Sequence, residues 1–306
     1  MDQRFDDIIE YVNINNIESL TIQPYLHDVI SHEIICKNLL EDVKNIDFLE
    51  RMPNLTEIRL IDVGKCDISG IYSLKNLKRL TVVNAKSSQH NNIRVEFNRL
   101  PELLELNIDW FSNGFDISTN PKLQNLILRK YCPQSGNFSE LPLPKRLSKI
   151  ELVQSNIKNL IGINSNTLES LKLSYCSKLN SLDGIKSVSN QLHDLIVDSA
   201  KYLTDYYEIK HCQELQKIVF VQCGNISSLN WVSSLHSLSY FVLEQTLVAD
   251  GDMSNLLNID KVAFTNKKHY NCKCVVSSNE KWRYKIENKS LTKNNQHCKN
   301  KSGIKA

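Results

Sequence analysis

The side chains best suited to chemistry in this sequence gather near its C-terminal end. Cys272 and Cys274 stand one residue apart, His269 precedes them, and His297 and Cys298 follow. Thiolate sulfur and imidazole nitrogen are the ligands of structural zinc, which takes four of them in a tetrahedron. The C-x-C spacing is tighter than the usual C-x2-4-C, and His297-Cys298 falls in a Lys- and Asn-rich stretch with little to bury. The pair is read as unpaired thiols in a terminal cap, with no metal and no other cofactor expected.

No other stretch supplies a convergent site. There is no Gly-rich phosphate loop, and the whole chain has only nine glycines. No G-x-S-x-G elbow or H-E-x-x-H pair is present. The acidic pairs Asp6-Asp7 and Glu41-Asp42 are sequence neighbours on surface helices or turns. The expectation is a chain that is not an enzyme.

Charge and cysteine usage narrow the class further. Residues 267–306 hold 11 Lys or Arg against two Glu, which leaves 26 basic residues against 32 acidic ones in the rest. A basic tail could touch phosphate backbones, but it lacks interleaved aromatics beyond Trp282 and Tyr284, so nucleic acid is not the expected partner. The start, Met1-Asp-Gln-Arg-Phe5-Asp-Asp7, is charged and lacks the apolar core of a secretory leader. No run of 18 apolar residues predicts a membrane span. Nine cysteines, an odd number at irregular spacing, suit reduced thiols, and a cytoplasmic location is expected.

What organises the chain is a phrase with apolar residues at its first, fourth and sixth positions. It begins at Leu55, Leu77, Leu103, Leu123, Leu147, Leu168, Leu192, Leu215, Leu238 and Ile259. These ten starts lie 22, 26, 20, 24, 21, 24, 23, 23 and 21 residues apart. Period-2 alternation within the phrase predicts a short strand buried on one side, and a constant period predicts that copies stack. A parallel strand needs a crossover, and the residues between phrases supply it. These carry apolar anchors such as Ile157, Leu160 and Ile163, but also Gly and Pro, which predicts 3-10 turns or single helical turns. Ahead of the array, Phe5, Ile8, Ile9 and Val12 share one face of a predicted helix. Ile17-Glu-Ser-Leu20-Thr-Ile22 repeats the phrase, and Ile35-Cys-Lys-Asn38-Leu-Leu40 looks like half of another.

The predicted architecture is an α/β solenoid, a horseshoe with a concave parallel β-sheet and short helical or 3-10 crossovers on the convex side. Residues 1–54 are assigned to an N-terminal cap with degenerate repeats, 55–267 to ten repeats, and 268–306 to a C-terminal cap and basic tail. In that last part Val275, Trp282, Tyr284 and Ile286 suggest one or two strands, and residues 288–306 are expected to be disordered.

The L-x-x-L-x-L phrase at this period resembles the leucine-rich repeat family with short repeats of about 22 residues. The chain departs from that family at the ninth position, where Asn is usual. Here the column reads Val63, Ala85, Phe111, Tyr131, Ser155, Cys176, Ala200, Cys223, Thr246 and Lys267. Cys176 and Cys223 are read as small packed thiols. The end of the array, Val262-Ala-Phe264-Thr-Asn-Lys-Lys-His269-Tyr270, is similar to the finish of bacterial leucine-rich repeat proteins that serve as toxin immunity proteins. That resemblance implies a stoichiometric inhibitor, and the acidic body implies a basic partner. The repeat length is also similar to that of proteins that bind phosphatase catalytic subunits, which implies a scaffold or regulatory subunit as the alternative.

In either case recognition falls to the strand residues that face outward, the third, fifth and seventh of each phrase. On three successive strands these include Ile196, Val219, Val221, Tyr240 and Val242, a contiguous apolar patch. Asp194, Asp198, Lys217 and Glu244 border it. Exposed β-branched residues are common in strands, but a cluster of this kind marks a partner site. Trp110, Tyr131 and Tyr175, just past the ends of their strands, are expected at the rim as aromatic anchors.

Overall fold

A computed structural model describes residues 3–23, 34–36, 45–64, 66–84, 94–112, 114–276 and 284–288. The expectations for Trp282, for His297 and Cys298, and for the tail beyond residue 288 lie outside these residues, as does Ala85 of the ninth column.

Each predicted phrase becomes a strand. They are β1 (Ser19–Ile22), β2 (Ile34–Cys36), β3 (Glu57–Ile61), β4 (Arg79–Val83), β5 (Glu105–Asp109), β6 (Asn125–Arg129) and β7 (Lys149–Val153). They continue as β8 (Ser170–Ser174), β9 (Asp194–Asp198), β10 (Lys217–Val221), β11 (Tyr240–Glu244) and β12 (Lys261–Phe264). The chain divides into two compact units. One comprises Met1–Pro133 with Glu140–Val153, the other Gln134–Ser139 with Gln154–Ala306.

In the first unit the parallel strands run in the order β2-β1-β3-β4-β5-β6-β7. The register is in phase from repeat to repeat: Ile58, Leu80, Leu106, Leu126 and Ile150 form one buried row. Stacking in chain order would place β2 between β1 and β3, and it does not lie there. The Ile17 phrase docks directly on the Leu55 phrase, with the Glu18 carbonyl accepting the N–H groups of Thr56 at 2.9 Å and Glu57 at 3.0 Å. This is the junction used throughout: the Thr56 carbonyl takes Lys78 and Arg79, and the Lys78 carbonyl takes Leu104 and Glu105. The stretch after β1 has no complete phrase to make such a junction, so its three-residue strand pairs on the other edge of β1. The predicted N-terminal helix is α1 (Gln3–Ile14), which buries Ile9 and Val12. It is tied to the next segment by Asn13, which donates to the Arg51 carbonyl, and by the Arg51–Asp6 ion pair.

The second unit stacks β8-β9-β10-β11-β12 in chain order. Its junctions repeat the pattern, as where the His193 carbonyl accepts from Gln216 and Lys217. After β12 an antiparallel hairpin follows, β13 (Cys272–Val276) with β14 (Tyr284–Asn288). Two predicted terminal strands are thus present. Asn266 holds the first of them by both ends of its amide, donating to the Cys274 carbonyl and accepting its N–H, each at 2.8 Å.

The crossovers are short 3-10 turns, among them Ser69–Ser73, Ile117–Thr119, Tyr207–His211 and Asn230–Ser234. A polar residue two positions before the turn, or at its very edge, starts many of them. Asp67, Asp116, Asp205 and Ser228 each accept the N–H of the residue two further on, the local bond that makes Asp, Asn and Ser turn formers. The predicted anchors Ile157, Leu160 and Ile163 are buried, as are Leu179, Leu182 and Ile185. Where crossovers touch, backbone meets backbone. A Cβ on Gly224 would stand 2.1 Å from the Leu203 carbonyl oxygen.

Strand ends are regular too. The eighth residue of the phrase is left-handed in seven repeats, at Asp62, Lys130, Gln154, Tyr175, Ser199, Gln222 and Gln245. The ninth residue then turns inward. Val63, Tyr131, Ser155, Cys176, Ala200, Cys223 and Thr246 are all buried. The missing Asn is partly replaced by other bonds to backbone. Thr246 accepts the Cys223 N–H at 3.0 Å, and the Cys223 thiol is directed at the carbonyls of Val221 and Val197, each 3.4 Å away.

Candidate protein-binding surface

In the second unit the parallel register assembles the outward residues into three rows. The fifth positions form the row Lys172, Ile196, Val219, Val242 and Ala263. The third positions form Ser170, Asp194, Lys217, Tyr240 and Lys261, and the seventh form Asp198, Val221 and Glu244, with the buried Ser174 at their β8 end. Their alternate neighbours Leu195, Val197, Ile218, Phe220, Phe241 and Leu243 are in the core. Ile196, Val219, Val221, Tyr240 and Val242 are each half-buried, shielded by adjacent strands but open on the outer face. Lys217 leans on its neighbour, with Nζ 5.5 Å from the Tyr240 ring centre.

The outer face of the first unit is built differently. Two carboxylates on it, Glu57 and Asp109, are held in ion pairs. Glu57 receives Arg59 at 2.9 Å and Arg79 at 2.8 Å. Partial burial pushes the Glu57 carboxyl up, but the hydrogen bond and charge of Arg79, with the charge of Arg59, outweigh it and hold the group below the ordinary range. Asp109 takes the Lys130 ammonium at 2.9 Å and the Asn84 N–H at 3.2 Å, which ties three repeats together. In the second unit Asp194, Asp198, Lys217, Glu244 and Lys261 form no ion pair among the described residues.

The three aromatics expected at a rim part company. Trp110 is half-buried and Tyr175 is 57% exposed. Tyr131 is 0% exposed, so it is a core residue and no anchor for a partner. The reason is its place: it follows the left-handed Lys130 and occupies the inward ninth position, where it meets Trp110 edge-on at 5.6 Å. Trp110 and Tyr175 hold the eighth position.

Two surface features carry no signal in the phrase. One is a ladder on the left-handed positions, in which the Ser199 hydroxyl donates to Gln222 and the Gln222 amide donates to Gln245. The other is a pair of exposed tyrosines, Tyr202 and Tyr207, the second covered by Lys210 with Nζ 3.4 Å from its ring centre. Only knowledge of the backbone at each strand's end would have put the ladder residues on one edge.

Within the C-terminal cluster, the described members pack and bond to backbone. Cys272 and Cys274 are buried, and the Cys274 thiol points to the Val262 carbonyl. A ring nitrogen of His269 bonds the Val248 carbonyl at 2.9 Å. Among the described residues no group of three or more His, Cys, Asp or Glu is placed to hold a metal ion. Burial pushes the thiols of Cys176 and Cys212 up to about 12, and those of Cys66 and Cys223 up to about 11. At neutral pH these sulfurs are protonated and poor nucleophiles. Among the described residues no helix is long and apolar enough to cross a membrane.

A recurring apolar phrase, in-phase parallel strands and 3-10 crossovers give each unit the fold of a leucine-rich repeat array. Several solved structures are similar to this chain at a distance. An internalin from Listeria monocytogenes is 16% identical with a TM-score of 0.37, over 77% of this chain and 79% of that one. The functional domain of InlJ from the same organism is 13% identical with a TM-score of 0.38, over 83% of this chain and 58% of that one. A leucine-rich repeat protein of Leptospira interrogans is 14% identical with a TM-score of 0.30, over 74% and 82%. No family model and no curated protein matches the chain.

Proposed function

We propose that this chain is a non-catalytic protein-binding module whose second unit holds a partner on the outer face of β9, β10 and β11. The observation that carries this reading is the row Ile196, Val219 and Val242. Three apolar side chains stand in register on adjacent strands, on the sheet face that the core does not use. Val221 and Tyr240 widen the patch, and Asp194, Lys217 and Glu244 at its border set orientation and association rate. Trp110 and Tyr175 are further contact candidates.

The finer reading is an immunity protein that blocks a bacterial toxin by occupying it one to one. It rests on the resemblance at Val262–Tyr270 and on the acidic balance of residues 1–266, which favours a basic partner. The buried, protonated thiols suit a reducing cytoplasm.

The test is affinity chromatography from the native cell with the wild-type chain and Val219→Glu side by side, beside a circular-dichroism melt of each. The expected result is a stoichiometric protein partner retained by the wild type and lost by the variant, with the melt unchanged. A partner retained equally by both removes this face from the interface. A basic toxin domain in the eluate supports immunity, whereas a phosphatase subunit replaces it with the scaffold reading.

A further inference from the structure

The charges around the apolar row point to the shape of what lies on it. We infer that the occupant is an amphipathic α-helix of the partner protein, lying across the strands with its N-terminal end over β9 and its C-terminal end over β12. This deepens the binding role proposed above and rests on it.

Spacing selects the helix. Adjacent strands lie about 4.8 Å apart, so Ile196 and Val242 are separated by about 9.6 Å along the row. A helix rises about 1.5 Å per residue, so residues i and i+7 on one face lie about 10.5 Å apart, with i+3 or i+4 between them. One helical turn therefore meets one strand, and a stripe of three apolar residues falls on Ile196, Val219 and Val242. An extended peptide presents a side chain to one face about every 6.7 Å. Its third contact would overshoot Val242 by about 4 Å.

Charge selects the direction. Over β9 the face carries two carboxylates, Asp194 and Asp198, one on each side of Ile196, which outnumber the one cation beyond them in the row, Lys172 on β8. Over β12 it carries Lys261. A helix has a partial positive charge at its N-terminus and a partial negative charge at its C-terminus, which complements this arrangement in one direction only. The long sides are also unlike. Past Asp194, the third-position side of the row carries Lys217 and Lys261, whereas the seventh-position side carries Asp198 and Glu244. The occupant therefore carries acidic residues along one flank of its apolar stripe and basic residues along the other. Asp194, Asp198, Lys217, Glu244 and Lys261 form no ion pairs with one another or elsewhere among the described residues, unlike Glu57 and Asp109 of the first unit, so they remain available.

The probe is a synthetic 15-residue peptide, acetylated and amidated, with Leu at i, i+4 and i+7, Glu along one flank and Lys along the other. A second peptide of the same composition has proline at two central positions. Fluorescence anisotropy against the full chain is expected to show at least tenfold tighter binding of the helical probe, abolished by Val219→Glu. Equal binding of the two, or binding by neither, overturns the helix. A photo-crosslinker at the N-terminal end of the probe is expected to label residues 170–198, and labelling centred on residues 240–265 overturns the direction. A native partner that is lost with Val219→Glu while the helical probe shows no preference sinks this inference and spares the binding face. A native partner indifferent to Val219→Glu removes the binding face itself.

Discussion

The backbone N–H of Val248 donates to the phenolic oxygen of Tyr270 at 3.0 Å, a bond that reaches across 22 positions of the chain. Tyr270 is buried, edge-on to Phe264 at 5.9 Å and to His269 at 4.7 Å. Tyr270 thus has a structural task, supplying a hydrogen-bond acceptor to the crossover between β11 and β12. Tyr270→Phe keeps the packing and strands the amide of Val248. A loss of about 1–3 kcal/mol is expected, read as a fall of several °C in a thermal melt.

The buried thiols give stability a pH dependence. Burial holds Cys176 and Cys212 protonated up to about 12 in the folded chain, whereas the unfolded thiols ionise near 9.0. The folded value is the higher one, so the contribution is complete below pH 9 and is lost as pH rises toward 12. Each thiol accounts for at most about 1.4 kcal/mol per pH unit in that window. Urea midpoints taken from pH 8 to 10.5 should fall, and more steeply in the wild type than in the Cys176→Ala/Cys212→Ala double variant. Parallel curves would show that other groups carry the effect.

Two glycines should respond differently to alanine. A Cβ on Gly224 would stand 2.1 Å from the Leu203 carbonyl oxygen, whereas one on Gly64, at φ +61°, would have nothing within 4 Å. Gly64→Ala meets only the left-handed backbone penalty, about 1–2 kcal/mol. Gly224→Ala must push two crossovers apart and is expected to cost more, about 3 kcal/mol or above. Urea unfolding of the pair checks the order.

Tyr131 and Tyr175 should separate folding from binding. Tyr131→Ala empties a fully buried site and is expected to destabilise the chain by about 3–5 kcal/mol. Tyr175→Ala changes an exposed side chain and should shift stability by no more than about 0.5 kcal/mol. Denaturant titration of both variants decides it, and similar losses would show that Tyr175 packs in solution.

The strands were legible in the sequence because alternation has only two phases: once Leu215, Ile218 and Phe220 are inside, Lys217, Val219 and Val221 must be outside. The row across strands followed for the same reason, since copies of one phrase stack in phase. Legibility ended where the strand did. At Lys130 the backbone turns left-handed, and the alternation that would have exposed Tyr131 no longer applies. Nor does periodicity show which charges meet. Glu57 with Arg79 and Asp194 with Lys217 both join neighbouring strands at the third position, yet only the first pair closes into an ion pair. The order β2-β1-β3 was equally hidden, because it depends on a phrase that the degenerate stretch lacks.

The in-phase stacking of the second unit makes its outer face a gauge with fixed divisions. Point substitutions can change what a division displays, but only the gain or loss of a whole repeat changes how many there are. Each added repeat would ask a bound helix for one more turn. The two scales differ by about 0.6 Å per step, 5.4 Å against 4.8 Å, so the mismatch accumulates like that of a vernier. After about five strands a straight helix would be some 3 Å out of step with the row. A three-strand patch lies well inside that limit, and a longer array would have to engage its partner through separate short helices.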